Sequence, residues 1–234
     1  MTRLLSFALT ALFFFTTATA LLAQVPSSDV DPRVVPQGTE KAVWEAPLLA
    51  QLELAKAGPE AIKQATPVIE RIALGNPEAW IPNYYAARVV LIEHYMAGEE
   101  GCIPCVEKMD RYLTIAEKAD NNSEVMTLRA SYYQTMLSIY PMRAPYYAPK
   151  ASNLLQKAIA ADPTNPRAES KLGQNYYYTP AMFGGGPAKA IPYLEKAVEL
   201  FNAEAALTDR DNLLPTWGAD RAKAMYGRAV VESN

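Results

Sequence analysis

The sequence predicts an all-α protein built from antiparallel helical hairpins, because one residue spacing recurs along helix-forming segments that end at proline or glycine. The spacing places small or apolar residues at offsets 0, 4 and 7 and a proline at offset 12, as in Ala151, Leu155, Ala158 and Pro163. A second copy repeats the first three offsets with Ala190, Leu194 and Ala197. Small side chains let two helices approach closely, and the larger apolar side chain fills the space beside them.

The first hairpin is predicted near the start of the domain. Residues 41–57 have a strongly helical composition, Gly58 ends that segment, and Pro59 suits the first position of the next helix. The spacing recurs there in a degenerate form, as Ala65, Ile69, Ile72 and Pro77. Terminal repeats are commonly atypical, so this hairpin is expected to open the array.

The pattern between residues 60 and 201 resembles the tetratricopeptide (TPR) repeat family. Leu172, Gly173 and Tyr176 spell the L-G-x-x-Y of a TPR A helix, and the spacing described above matches the following B helix. The resemblance implies a right-handed superhelical array of about four hairpins plus a C-terminal capping helix. It also implies a protein that holds another protein or peptide without a cofactor.

The repeats are longer than the family standard of about 34 residues. The B-helix marker residues are Ala65, Met109, Ala151 and Ala190, separated by 44, 42 and 39 residues. The extra residues fall between A and B helices, in the segments 97–105, 140–149 and 179–187. We call these three segments the edge loops, and we expect them to project from one edge, where repeat proteins commonly vary their binding.

The N-terminus has the layout of a secretory signal peptide. Arg3 precedes an apolar block, and small residues around Ala20 and Ala23 suit cleavage. The alternative is an uncleaved membrane anchor. We predict a signal peptide at 1–23, an extended linker at 24–39 and the repeat domain at 40–234. The expected location is the periplasm or the exterior, without stable membrane insertion after cleavage.

Composition argues against several function classes. The formal net charge of −3 and the absence of a Lys/Arg cluster argue against nucleic-acid binding. A single histidine, His94, leaves no multi-histidine metal site and no catalytic relay. We therefore predict no catalytic residues, no metal site, no cofactor and no enzymatic activity.

Tyrosines recur at one level of the predicted A helices. Tyrosine combines an apolar ring with a hydroxyl, which suits a recognition surface. In an array these residues would form a column on the concave face, and the alternative is that one of each adjacent pair belongs to the core. The candidate binding residues are Tyr85, Tyr133, Tyr177, Tyr178 and Tyr226.

Cys102 and Cys105 form a C-x-x-C pair where the second B helix should begin. In an oxidising compartment, two cysteines this close most simply form a local disulfide that fastens the edge loop. Thiol exchange at a helix N-terminus and a metal site with His94 are the alternatives.

The chain is expected to end in a solitary helix. Residues 202–218 are loop-like, and a last helix should open at Thr216 or Gly218 and continue through Val231. Such a helix would cap the open end of the stack, with Trp217 anchoring it.

The stretch 176–200, with its Gly-rich turn before a Lys-Ala-rich helix, also resembles exported bacterial TPR proteins that include the T-component of TRAP transporters. Two hypotheses follow. The first is a non-catalytic periplasmic or secreted scaffold that binds a protein or peptide through its concave face and edge loops. The alternative is a T-component-like accessory protein that holds a small organic ligand or a solute-binding protein.

Overall fold

The computed structural model describes residues 41–233, which form nine α-helices and no strand. The helices are α1 (Lys41–Ala55), α2 (Pro59–Gly75), α3 (Trp80–Met96), α4 (Ile103–Ala119), α5 (Ser123–Ile139), α6 (Ala144–Ala161), α7 (Pro166–Tyr178), α8 (Pro187–Ala205) and α9 (Ala219–Ser233). Within this range every helix is too short or too polar to cross a membrane. The predicted signal peptide and linker lie outside the described residues.

The helices pair in sequence as hairpins: α1 with α2, α3 with α4, α5 with α6, and α7 with α8, followed by α9. The predicted fold class is therefore confirmed. We call α1, α3, α5, α7 and α9 the A helices and the other four the B helices. Each edge loop contains a short 3-10 turn, at Gly98–Glu100, Pro141–Arg143 and Ala181–Phe183.

The recurring small residues lie between helices, where the sequence places them. All of the following are fully or almost fully buried: Ala65, Ile69, Ile72, Met109, Ala151, Leu155, Ala158, Ala190, Leu194 and Ala197. Gly173 of α7 is the tightest of these contacts, because a Cβ added there would lie 2.7 Å from Cγ of Leu194 in α8. The glycine in L-G-x-x-Y is thus required by the close approach of two helices.

Successive A helices pack directly on one another, α3 on α5, α5 on α7 and α7 on α9. The A helices from α3 to α9 therefore form one continuous layer, and we call the face of this layer the inner side. Residues 206–218, which we call the connector, return across this inner side from α8 towards the first hairpin. The carbonyl of Leu213, which is fully buried, accepts a hydrogen bond from Tyr85 Oη in α3 at 2.9 Å. Two residues before Leu213, Asp211 pairs with Lys41 of α1 at 2.7 Å.

The role of Trp217 differs from the expected one, which was to anchor the last helix. Its indole Nε1 donates to Tyr84 Oη in α3 at 2.9 Å, so it fastens the connector to the second hairpin. The last helix begins at Ala219, directly after Gly218. Gly218 has φ of 112°, and a Cβ there would lie 2.9 Å from the Phe201 ring.

A series of buried polar contacts holds the connector in place. Arg167 of α7, only 2% exposed, donates from Nε to Glu124 of α5 at 2.7 Å and from Nη1 to Glu204 of α8 at 3.0 Å. Glu204 also accepts from Arg210, which donates to the carbonyl oxygen of Pro215 at 2.6 Å. Tyr84 Oη donates to Glu124 at 3.3 Å. We call this series, from Trp217 through Tyr84, Glu124, Arg167 and Glu204 to Arg210, the buried ionic chain.

The ionic chain shifts the pKa values of its members. Burial raises the pKa of Glu124, although the charge of Arg167 opposes that rise. Burial alone would lower the pKa of Arg167, but its hydrogen bonds to Glu204 and the charge of Glu124 raise it overall. The arginine therefore stays charged and compensates the desolvation of both carboxylates.

We predict that Arg167→Met lowers the free energy of unfolding by about 3–5 kcal/mol, because it removes the cationic partner of buried Glu124 and one of the two cationic partners of Glu204. Urea denaturation followed by circular dichroism measures this loss. Lys196→Met is the control, since it breaks the exposed pair with Glu199 and should change stability little. A loss for Arg167→Met no larger than that of the control would contradict the role of the ionic chain.

We also predict that Gly173→Ala destabilises the protein by about 1–3 kcal/mol, since the added methyl group would overlap Leu194. Gly227→Ala in α9 is the matched control, because a Cβ there meets no atom within 4 Å. The helical preference of alanine should make that control neutral or stabilising. Thermal unfolding of both variants compares them, and equal melting temperatures would disprove the close contact.

Candidate functional site

The connector borders three neighbouring pockets on the A-helix side. Their volumes are about 680, 400 and 310 Å³, and Thr216 lines all three. Sites for small ligands commonly have volumes of about 300–1,000 Å³. The position of the connector therefore creates space of the size that a small molecule needs.

The 400 Å³ pocket, which we call the cation pocket, is built from four A helices and the connector. Arg88 of α3, Lys171 of α7 and Arg221 of α9 line it, and we call these three residues the cation trio. Leu128 of α5 and Trp217 of the connector complete its walls. Residues that are far apart in sequence thus bring three positive charges to one cavity.

The side chains of the cation trio have no hydrogen-bond or ion-pair partner among the described residues. The guanidinium of Arg88 stacks on the Trp217 ring, with Cζ 4.3 Å from the ring centre. Asp220 also lines the pocket, but no ion pair joins it to the trio. Arg88 and Lys171 are half-buried, whereas Arg221 is exposed at the rim. A half-buried cation without an acceptor is unfavourable, so the pocket is suited to an anionic ligand.

The pocket lowers the pKa values of two members of the trio, mainly through burial. Burial, followed by the positive charges of Arg221 and Arg88, lowers the pKa of Lys171 to about 7. Burial also lowers the pKa of Arg88. An anion placed between these groups would stabilise their charged forms.

The 310 Å³ pocket, which we call the apolar pocket, adjoins the cation pocket. Arg88, Ile92 and Trp217 line both pockets. Most of its remaining wall is apolar and includes Leu49, Leu52, Ile62 and Val89. The two pockets together offer a charged end and an apolar body to one ligand. We call the combined space the trough.

Two of the five candidate tyrosines lie on the second and third hairpins, Tyr85 in α3 and Tyr133 in α5. Tyr85 is buried, lines the apolar pocket and uses its hydroxyl on Leu213. Tyr133 is half-buried and stacks on Tyr147, with ring centres 6.3 Å apart. Their role in binding stays a prediction.

The other three tyrosines lie on the last hairpin and α9. Tyr177 Oη donates to Glu232 at 2.6 Å, and Tyr226 Oη donates to Glu195 at 3.1 Å. Tyr178 is exposed to solvent. The structure therefore brings Tyr85 to the trough and leaves these three outside its lining. Binding by Tyr177, Tyr178 and Tyr226 also stays a prediction.

Cys102 and Cys105 are joined by a disulfide at the start of α4, with an S–S distance of 2.01 Å. His94 packs under this loop, where its Nδ1 accepts from the Cys102 backbone N–H at 2.9 Å. A Cβ at Gly101 would lie 2.6 Å from the His94 ring. His94 is thus a packed residue of the edge loop and does not line the trough.

Sequence reasoning missed the cation trio and the role of Trp217. Arg88, Lys171 and Arg221 share no motif, and they lie on three different helices. The available signal was a cation on each of three predicted A helices in a chain without a basic cluster. That signal becomes specific only when the stacking of these helices is known.

The chain is similar in structure, but not in any recognised sequence family, to a known protein. No family model matches the chain, and no curated protein matches it by sequence. Among solved structures, the chain is similar to the HusA haemophore from Porphyromonas gingivalis, with a TM-score of 0.70 and 27% identity. The match covers 83% of this chain and 96% of that chain. The likeness is compatible with an all-α, non-catalytic binding protein.

We predict that Lys171 makes stability depend on pH. Its pKa of about 7 in the folded protein lies below the value of about 10.4 expected when the chain is unfolded. Between these values the unfolded chain binds more protons, so the free energy of unfolding should increase as pH rises from 7 to 9. Lys171→Met should flatten that increase.

Urea denaturation at pH 6, 7, 8 and 9 measures this effect as a difference between variants. Lys157→Met replaces an exposed lysine of α6 and should leave the pH profile unchanged. Identical profiles for Lys171→Met and the unmodified protein would show that Lys171 does not titrate in this range.

Proposed function

We propose that the chain is a non-catalytic binding protein that holds a planar organic anion of the haem class in the trough. The observation that carries the proposal is the cation trio, whose three basic side chains meet in one pocket without an acceptor among the described residues. Haem carries two carboxylates on one edge of an apolar ring. Its carboxylates would meet Arg88, Lys171 and Arg221, and its ring would continue along Trp217.

The shape and chemistry of the walls support this orientation. Trp217 and Ile92 line both pockets, so the ligand ring would lie against apolar and aromatic surface. Arg88 stacks on Trp217 and can bind a carboxylate in the plane of its guanidinium. Burial is the main cause of the lowered pKa of Lys171, and a carboxylate bound beside the trio would offset the repulsion from Arg221 and Arg88 that adds to it.

The similarity to the HusA haemophore supports the same ligand class, since 27% identity extends over most of both chains. Iron ligation by histidine is not part of the proposal. His94, the only histidine of the chain, is 7% exposed and its Nδ1 accepts from the backbone of Cys102. Recognition would therefore depend on the carboxylates and the ring.

The protein-binding scaffold predicted from the sequence is the second candidate. The observation that favours it is the continuous inner side formed by the A helices, which resembles the peptide-binding side of TPR arrays. In this chain Leu213 and Trp217 of the connector occupy that side. This leaves less room for an extended peptide than for a compact ligand.

Three further hypotheses from the sequence remain proposals. They are membership of the TPR family, a T-component role with a solute-binding protein as partner, and export by a signal peptide.

We predict that Lys171→Met weakens haem binding by about ten- to a hundredfold, because it removes one charge-assisted hydrogen bond to a buried carboxylate. Absorbance titration of the haem band measures the dissociation constant. Lys157→Met, outside the trough, is the matched control and should bind as the unmodified protein does.

The ligand can be varied in the same titration. Iron-free protoporphyrin keeps the carboxylates and the ring, so it should bind within a few-fold of haem when followed by fluorescence. Its dimethyl ester has no carboxylate charge and should bind at least tenfold more weakly. Equal affinity of the acid and the ester, together with no effect of Lys171→Met, would refute the proposed site.

A further inference from the structure

Two neighbouring edge loops expose large apolar side chains at their tips. Met142 is 94% exposed in the loop between α5 and α6, while Met182 and Phe183 are 83% and 71% exposed in the loop between α7 and α8. Met142 lies on a short 3-10 turn that begins at a proline, and Met182 and Phe183 lie on one that begins directly after a proline. Such exposure of several large apolar residues at one edge commonly marks an interaction surface.

The two loops follow the C-terminal ends of α5 and α7, two A helices that pack on each other. Gln134 of α5 donates to the backbone carbonyl of Lys171 in α7 at 3.3 Å, and Asn175 of α7 donates to Ser152 of α6 at 2.6 Å. The last two hairpins are therefore packed together, and both loops emerge at the C-terminal ends of their A helices. We call the surface formed by residues 140–150 and 178–189 the loop edge.

Behind the apolar tips, cations stack on tyrosine rings. The three pairs are Arg143 on Tyr140 at 5.4 Å, Lys150 on Tyr146 at 4.0 Å, and Lys189 on Tyr176 at 5.4 Å. All three cations are exposed, and none forms an ion pair with a described carboxylate. Their positive charges are therefore available to an external anionic surface.

The loop edge has an unusual charge distribution. No Asp or Glu occurs from residue 140 to 161 or from residue 170 to 194, although the whole chain has a formal net charge of −3. Carboxylates occur at its flanks. Glu107 and Asp110 line a pocket that also includes Tyr140, and Glu232 accepts a hydrogen bond from Tyr177.

We propose that the loop edge docks the protein on an anionic lipid surface, with Met142, Met182 and Phe183 inserted among the headgroups. The three kinds of side chain on the loop edge, apolar, tyrosine and basic, match the layers of a membrane interface. Apolar tips would enter the acyl boundary, tyrosines would lie at headgroup level, and the basic side chains would contact the anionic headgroups. The apolar side chains stand on two separate tips, an arrangement that fits a soft lipid surface better than a flat protein interface.

The proposal does not depend on the ligand of the trough. The loop edge lies at the ends of the A helices, and none of Met142, Met182 and Phe183 lines the cation pocket or the apolar pocket. A variant of the loop edge should therefore retain ligand binding, and a variant of the cation trio should retain lipid binding.

Vesicle flotation with the full chain tests the proposal. We use phosphatidylcholine vesicles with and without 30% phosphatidylglycerol. We expect binding to the anionic vesicles that weakens in high salt. Near an anionic surface each cation contributes about 1 kcal/mol, or about a fivefold change in partitioning, so the triple variant Arg143→Gln, Lys150→Gln, Lys189→Gln should lose at least tenfold. The control triple variant Lys56→Gln, Lys63→Gln, Lys196→Gln removes the same charge from exposed lysines elsewhere.

The apolar tips are tested with matched pairs of substitutions. Met182→Ser with Phe183→Ser should reduce partitioning about tenfold, while Leu74→Ser with Val231→Ser replaces equally exposed apolar residues elsewhere and should have no effect. Because all variants carry the same residues 1–23, this apolar segment contributes equally to each measurement. Equal partitioning of the loop-edge and control variants would overturn the proposal.

An environment-sensitive fluorophore shows directly which surface meets the lipid. Attached at Met182→Cys it should shift to shorter wavelength with anionic vesicles, and attached at Val231→Cys it should not. The native cysteines are joined to each other and would not react. No shift at Met182→Cys, or cross-linking from that position to a protein partner without vesicle binding, would overturn the proposal in favour of a protein surface.

Discussion

Arg167 supplies the contact on which the arrangement of the A-helix side depends. Its guanidinium is buried between Glu124 of α5 and Glu204 of α8. Glu204 also pairs with Arg210, which donates hydrogen bonds to carbonyl oxygens of the connector. A buried charge is tolerated only when its partners are correctly placed. The connector is therefore held along the inner side in one geometry, and the pockets on both sides of Thr216 follow from that geometry.

The ionic chain and the cation trio have opposite energetic characters. In the buried ionic chain every charged side chain has an oppositely charged partner, so these ion pairs compensate the cost of desolvation. In the trio Lys171 and Arg88 are partly desolvated beside each other and Arg221, which is unfavourable in the ligand-free protein. Binding sites are often such unfavourable places within a stable scaffold, because the ligand supplies the missing interaction. The well-packed hairpins, with residues such as Leu155 and Leu194 fully buried, provide the stability that makes the trio tolerable.

The hairpin array could be predicted from sequence because its signals are local. The spacing around Ala151 and Ala190 and the glycine at position 173 reflect contacts between helices that are adjacent in the chain. The site could not be predicted because it is assembled by the connector, whose polar, proline-containing sequence has no helical period. Tyr85 illustrates the difference. Its position on an A helix is predicted from sequence, but no local pattern indicates that the carbonyl of Leu213, 128 residues later, accepts a hydrogen bond from its hydroxyl. Membership of the TPR family stays a prediction.

The return of the connector to α1 also affects how the array folds. In simple repeat proteins each unit touches only its neighbours, so the ends can fray while the centre stays folded. Here the bond between Lys41 and Asp211 joins residues 170 positions apart, and Trp217 reaches back to Tyr84. Such long-range contacts raise contact order, which slows folding but couples the first and last repeats in one cooperative unit. Removing a terminal hairpin should therefore weaken the opposite end of the chain, unlike the local loss that is usual when a repeat is deleted from a linear array.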